Sequence, residues 1–292
     1  MKKLFVVILI PLLSCFSCAR AEKKEIKSSE IIKMLSSGKP LQINDKIILD
    51  DLDFISVAKP FMMNAGILQV EIQSNIFFNN CVFMGKVTSN GTFSGAAPVQ
   101  TCFKNNLVFR NCDFRGTVDF DKAVVFGMVN FNKSVFRENA NFNNMAVWAK
   151  DSYFSEIKAE KNFTMIYSSV KGNLFCIGST FEGVCSFQES SIGGRFSLNN
   201  SIFNKNVDLE MMQVENKAFF NYTVFNESVS FGASQFMSAA DFINTTFNKT
   251  ADFENTYFLN TVRVEDIQSA KELLFTNTHF GMEKPIIKYI NQ

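Results

Sequence analysis

The sequence has a single histidine, His279, so any imidazole-based catalytic centre would have to be built around that one position. Phe280 follows it in an apolar series, which turns His279 outward on the last repeat and argues against catalysis. No Cys-x-x-Cys pair lies beyond residue 18, which removes the usual spacing for a zinc site, and there is no glycine-rich phosphate loop. No apolar run reaches the roughly 20 residues that a membrane-spanning helix needs. Excess charge of either sign is also lacking. The formal net charge is +1, and losing Lys2 and Lys3 with a leader would make it 1 − 2 = −1, neither a basic footprint for nucleic acid nor an acidic body. Tryptophan occurs once and tyrosine five times, so the aromatic content rests almost wholly on 34 phenylalanines, as if one type of slot were being filled repeatedly.

Those phenylalanines are periodic. Phe220, Phe231, Phe242, Phe253, Val264 and Phe275 form one series of eleven; Phe225, Phe236, Phe247, Phe258 and Phe280 form a second, interrupted at Ser269. Large apolar residues therefore alternate at steps of five and six, a period that neither an α-helix nor a lone strand has. A chain winding through successive flat sides, each presenting one large side chain inward, has it naturally. The same frame runs back through Phe142, Phe131, Phe120 and Phe109, and through Val147, Phe136, Val125 and Phe114, with one residue inserted between Val147 and Phe154. Four sides of 5 + 6 + 5 + 6 residues predict a coil of 22, and about ten coils between Phe54 and Phe280. On that length Asp241 and Arg263 lie side by side as a weak surface pair. Before residue 98 the spacing is uneven: Phe78, Phe83, Phe93 and Phe103 fall at steps of five and ten, and Ser94 to Pro98 reads as a loop leaving the coil.

Residues 1–18 read as an export signal, with Lys2 and Lys3 before the apolar run Leu4 to Leu13. Leu12-Leu13-Ser14-Cys15 resembles the lipobox of bacterial lipoproteins, which implies cleavage and acylation at Cys15; Cys18, after Ser17, is a rival acceptor. The charged stretch 19–27 reads as a flexible tether. Residues 28–40 carry Ile31, Ile32, Met34 and Leu35 at near-helical spacing after Ser28-Ser29-Glu30, and read as a helical cap over the first coil. The repeat domain is 41–280, and 281–292 is a tail or second cap.

Within the repeat, Cys112-Asp113-Phe114, Val118-Asp119-Phe120, Ala140-Asn141-Phe142, Ala240-Asp241-Phe242 and Ala251-Asp252-Phe253 share one pattern. Alternation points the first and third residues inward, the small one leaving room for the large one, and turns Asp or Asn outward. Asn, Ser and Thr after the Phe, as in Phe242-Ile243-Asn244-Thr245, suit corners, because they bond nearby backbone and Asn tolerates left-handed conformations. These triplets resemble the Ala-(Asp/Asn)-Leu core of the pentapeptide-repeat family, with Phe replacing Leu and with steps of five and six replacing a strict five. The resemblance implies an all-β fold, a right-handed, four-sided parallel β-helix solenoid. The best-understood members of that family inhibit DNA topoisomerases as acidic cytoplasmic mimics of DNA, and a near-neutral exported chain has neither the charge nor the compartment for that.

Cys81, Cys112 and Cys185 stand two before a Phe and Cys176 lies on a core series, so all four read as small core residues rather than metal ligands or disulfide partners. No cofactor is expected. Asn-x-Ser/Thr sequons, at Asn132, Asn162, Asn199, Asn221 and elsewhere, follow from corner composition and are not read as glycan sites. Phe126 follows Val125 and Trp148 follows Val147, so alternation turns both outward, one predicted coil apart and on one side; they are the candidate binding patch. The leading expectation is a non-catalytic lipoprotein of the cell envelope. Its partners are the membrane through an N-terminal lipid, a protein at its surface, and a second copy at its C-terminal end, with no nucleic acid. The alternative is a β-helix enzyme acting on envelope polysaccharide, which would need acids, Arg or His clustered from adjacent coils.

Overall fold

A computed structural model describes residues 23–62, 67–93, 97–271 and 273–286. The expected export signal with Cys15 and Cys18 lies outside the described residues, as does the end of the expected tail. The chain is a parallel β-solenoid, with one α-helix among the described residues. Strand β1 (Lys24–Ile26) and helix α1 (Ser28–Ser36) lead into the first coil, where β2 (Leu41–Asn44), β3 (Lys46–Ile48) and β4 (Leu52–Asp53) begin three faces and β5 (Phe61–Met62) with β6 (Leu68–Ile72) begins the fourth. We number the faces I to IV from β2, β3, β4 and β6. They are sheets of 10, 11, 10 and 12 strands respectively, almost all parallel. A spacing of about 4.8 Å per strand makes the rod roughly 50 Å long.

Register confirms the predicted coil length: Leu107 pairs with Val129, Val124 with Ala146, and Asp241 with Arg263. The single insertion appears as a one-residue slip, with Val129 opposite Ser152 and Val147 opposite Val170. Inside, Phe rings of successive coils lie one above another. Phe78, Phe109, Phe131 and Phe154 stack at 5.0, 5.1 and 5.2 Å along face I, and Phe181, Phe203, Phe225 and Phe247 at 4.7, 5.1 and 5.3 Å along face II. Columns on opposite faces meet edge to face across the core, as with Phe131 and Phe142 at 5.2 Å and 72°. Where the small position of a triplet is itself Phe, the large position shrinks: Phe163 precedes Met165 and Phe196 precedes Leu198, all buried. Layer volume is thus conserved without conserving the residue.

The alternation of five and six has a backbone cause. From Asn111 to Asn277 a residue of positive φ recurs every eleven positions, through Lys122, Lys133 and Asn144, then Glu156 after the insertion, Tyr167, and so on, with Gly178 at φ +65°. Each lies in a five-residue step such as Phe242 to Phe247, where Asn244 has φ 53°; the six-residue step from Phe247 to Phe253 turns without one. Many of these corners are occupied by residues with no liking for the left-handed region, which costs an L-residue about 1–2 kcal/mol. Ala233→Gly at φ 56° is therefore expected to raise stability by about 0.5–1 kcal/mol, and Gly178→Ala to lower it by a similar amount. At Gly178 an added Cβ would meet only Glu156 Cγ at 3.8 Å, so the comparison isolates backbone conformation. Denaturant midpoints that move in the other order would contradict it.

The residue after each of these corners is commonly a buried Ser or Thr. Thr223 Oγ1 donates to Leu198 O at 2.8 Å, Thr245 to Phe220 O at 2.8 Å and Thr256 to Phe231 O at 2.8 Å, so the hydroxyls bond the preceding coil rather than their own turn. Sequon asparagines likewise bond between coils: Asn199 accepts from Asn221 N and Asn221 from Ile243 N, each on the next coil.

The structure departs from expectation in five places. The tether is shorter than 19–27, because Ile26 is buried and β1 pairs with β3. Ser28 does not cap α1; Lys27 precedes the helix without a side-chain cap, and Ser28 Oγ donates to Asp50 instead. Phe93 is exposed, because Asn90–Phe93 leaves the coil and pairs antiparallel with Ala97–Gln100, Asn90 opposite Gln100 and Phe93 opposite Ala97. The first two coils are long, with Leu41 opposite Ile76 and Ile76 opposite Leu107, each pairing reaching farther along the chain than one regular coil. Finally, Asp241 is not a loose surface partner. It is 2 % exposed and held by both Nε and Nη2 of Arg263 at 2.6 Å, with Arg263 itself half exposed as a lid. The carboxylate beside it holds the Arg263 pKa above its usual value.

Candidate binding surface on face IV

Strands of face IV turn one side chain outward at their centre and another two residues later. The later position places Lys104, Phe126, Trp148 and Lys171 in one column, with backbone bonds from Lys104 N to Ile72 O, Phe126 N to Phe103 O, Trp148 N to Val125 O and Lys171 N to Val147 O, all 2.8–3.0 Å. Phe126 is 46 % and Trp148 53 % exposed, and their rings stack at 6.1 Å and 12°. Lys104 Nζ lies 5.0 Å from the Phe126 ring and Lys171 Nζ 5.5 Å from the Trp148 ring. The column is cation, ring, ring, cation, and each exposed cation–π contact contributes about 0.5–1 kcal/mol. Glu71 lies beside Lys104 at 2.7 Å and raises its pKa.

Stacking along the rod covers the ring faces and leaves edges pointing outward. A flat ligand therefore cannot lie on either ring, while an apolar side chain can pack against the ridge. Beside the ridge runs a trough of about 360 Å³, bordered by Trp148, Lys171 and Glu215 and floored by Ala146, Ser169 and Ser191. Gly193 continues the column after Lys171, and its missing side chain keeps the trough open between Lys171 and Glu215. The in–out rule thus places both expected aromatics together. It missed the two lysines, although each stands about one coil from a ring and was available in the sequence.

The other candidates do not assemble. His279 sits on the last coil against Tyr257, ring centroids 5.6 Å apart. Among the described residues no group of three or more His, Cys, Asp or Glu side chains is arranged to hold a metal ion. Asp208 has a raised pKa, first from burial and then from the charge of Glu210, and stands in register between Ser186 and Ser230. Cys81, Cys102, Cys112, Cys176 and Cys185 are all buried free thiols. The fold defines an all-β parallel solenoid, a class that serves many functions. No protein-family model matches the chain, and no curated protein or solved structure is significantly similar to it.

Proposed function

We propose that this chain is a Phe-centred variant of the pentapeptide-repeat type, exported as a bacterial lipoprotein through Cys15 or Cys18, and that it works without catalysis as a rigid rod presenting face IV to a protein partner. The observation that carries the reading is the exposed Phe126–Trp148 stack with a lysine at each end, beside a trough of small side chains. Held rings lose little side-chain entropy when a partner covers them, and aromatics of this kind supply a large share of interface energy. Lys104, Lys171 and Glu215 at the rim favour a partner that offers charges of both signs around an apolar centre.

Crosslinking in the native cell tests this. A photoreactive side chain placed at Ala146, on the trough floor, should give a discrete protein adduct that disappears in the Phe126→Ala/Trp148→Ala double variant, and the same probe at Thr180 on face II should give none. Equal adducts from both faces, or none from face IV, would reject the surface. Incorporation of a fatty-acid probe should be lost in Cys15→Ala; retention there with loss in Cys18→Ala moves the lipid, and retention in both removes the lipoprotein reading.

A further inference from the structure

The buried corner column between faces I and II carries hydroxyls at Ser134, Ser179, Ser201 and Thr223, but its first two members are Cys81 and Cys112. Each follows a left-handed asparagine, Asn80 at φ 54° and Asn111 at φ 53°, so the two share one backbone conformation. They stand one step before the in-register pair Val82 and Asp113, and Asp113 N donates to Cys81 O at 2.9 Å. Adjacent strands are separated by about 4.8 Å, inside the roughly 4.4–6.8 Å range of Cα separations that a disulfide spans. Both sulfurs lean toward the preceding coil: Cys81 Sγ lies 3.6 Å from Ile43 O, and Cys112 Sγ lies 3.8 Å from Phe78 O, on the coil that holds Cys81. The hydrogen bond from Cys112 holds the Cys81 thiol below its ordinary pKa despite burial, with Lys23 assisting, while burial pushes Cys112 up. Above the pair lies a groove of about 540 Å³ rimmed by Lys23, Arg115, Lys133 and Arg137. Cys176 and Cys185 contrast with them: they are interior to faces I and III and are raised by burial.

We propose that Cys81 and Cys112 are joined by a disulfide between the second and third coils when this chain folds in contact with a disulfide donor. The Cys81 thiolate attacks one sulfur of the donor and expels one donor thiolate. Cys112, having lost its proton to water, then attacks Cys81 Sγ and displaces the second. Two cysteine thiols are oxidised and the donor disulfide is reduced to two thiols. Exchange occurs while the coils are still open, since the closed structure buries both sulfurs. The bridge closes the segment that contains the antiparallel pair of Asn90–Phe93 with Ala97–Gln100, at the point where the two long coils give way to the regular ones and register is least repetitive. Export is not a premise, because the donor can be supplied in the buffer.

Refolding of the full chain in oxidised and reduced glutathione, followed by denaturation, alkylation and peptide mass mapping, tests the bridge. The expected product is a peptide pair linked through Cys81 and Cys112, two hydrogens lighter than the sum of its parts and separated by dithiothreitol. Cys112→Ser should leave Cys81 as a mixed disulfide with glutathione, and serine suits that slot because Ser134, Ser179 and Ser201 fill it in other coils. Full alkylation of both cysteines at every glutathione ratio, or a bridge from either one to Cys102, would overturn the proposal. Mapping of the unsubstituted chain decides it even where a variant fails to fold.

Discussion

Phe131→Ala is expected to destabilise the rod by about 3–5 kcal/mol, the range for truncating a buried aromatic. Phe131 is fully buried, stacked between Phe109 at 5.1 Å and Phe154 at 5.2 Å, with Phe120 and Phe142 presenting edges at 5.8 and 5.2 Å. A globular core can shrink around such a gap. Here the walls are strands pinned to both neighbouring coils, Asn111 N donating to Asn132 O at 2.9 Å and Phe131 N to Tyr153 O at 2.8 Å, so most of the cavity persists. Nearest-neighbour coupling confines the damage to adjacent coils, and hydrogen exchange should quicken first between Phe109 and Phe154. Phe93→Ala, on the exposed hairpin, serves as control and should change stability by no more than about 0.5 kcal/mol. Equal effects of the two substitutions would mean that burial does not distinguish the rings.

That contrast also marks where the sequence was readable. From Phe109 onward each coil repeats the same two left-handed corners and the same in–out alternation, so one phase assignment places every ring, including the outward Phe126 and Trp148. Phase is lost where the chain leaves the coil. The first two coils outrun the regular repeat because they hold the 3₁₀ turn Phe54–Val57 with the β5–β6 pair and the antiparallel pair of Asn90–Phe93 with Ala97–Gln100, and spacing alone cannot distinguish Phe93 outside from Phe103 inside. The same slip hid the Cys81–Cys112 contact, since the two cysteines are joined across a long coil and the regular frame does not connect them. Asp241 illustrates a different limit. Its outward direction was legible, but its burial depends on Arg263 folding over it, and alternation says nothing about what covers an outward side chain.

Ile31→Asp is expected to make the chain associate through its N-terminal end. Among the described residues, faces I and III start with β2 and β4, which have no strand before them, and face II starts with the short β1. Helix α1 lies across that end. Ile31 and Leu35, one helical turn apart on the same side, are 0 % and 2 % exposed, while Met34 on the outer side is 43 % exposed. A carboxylate at Ile31 would have no partner in an apolar site, a penalty on the order of 4 kcal/mol, more than so short a helix gains by docking. Undocking bares the apolar end of the first coil with its strand edges, a template for another rod's end. Sedimentation should then show association that rises with concentration, and exchange protection should fall at Leu41 and Leu52. Met34→Asp places the same charge on the same helix facing water, so it should remain monomeric. An Ile31→Asp chain that stays monomeric with those amides protected would show that the first coil closes its own end and that α1 has some task other than covering it.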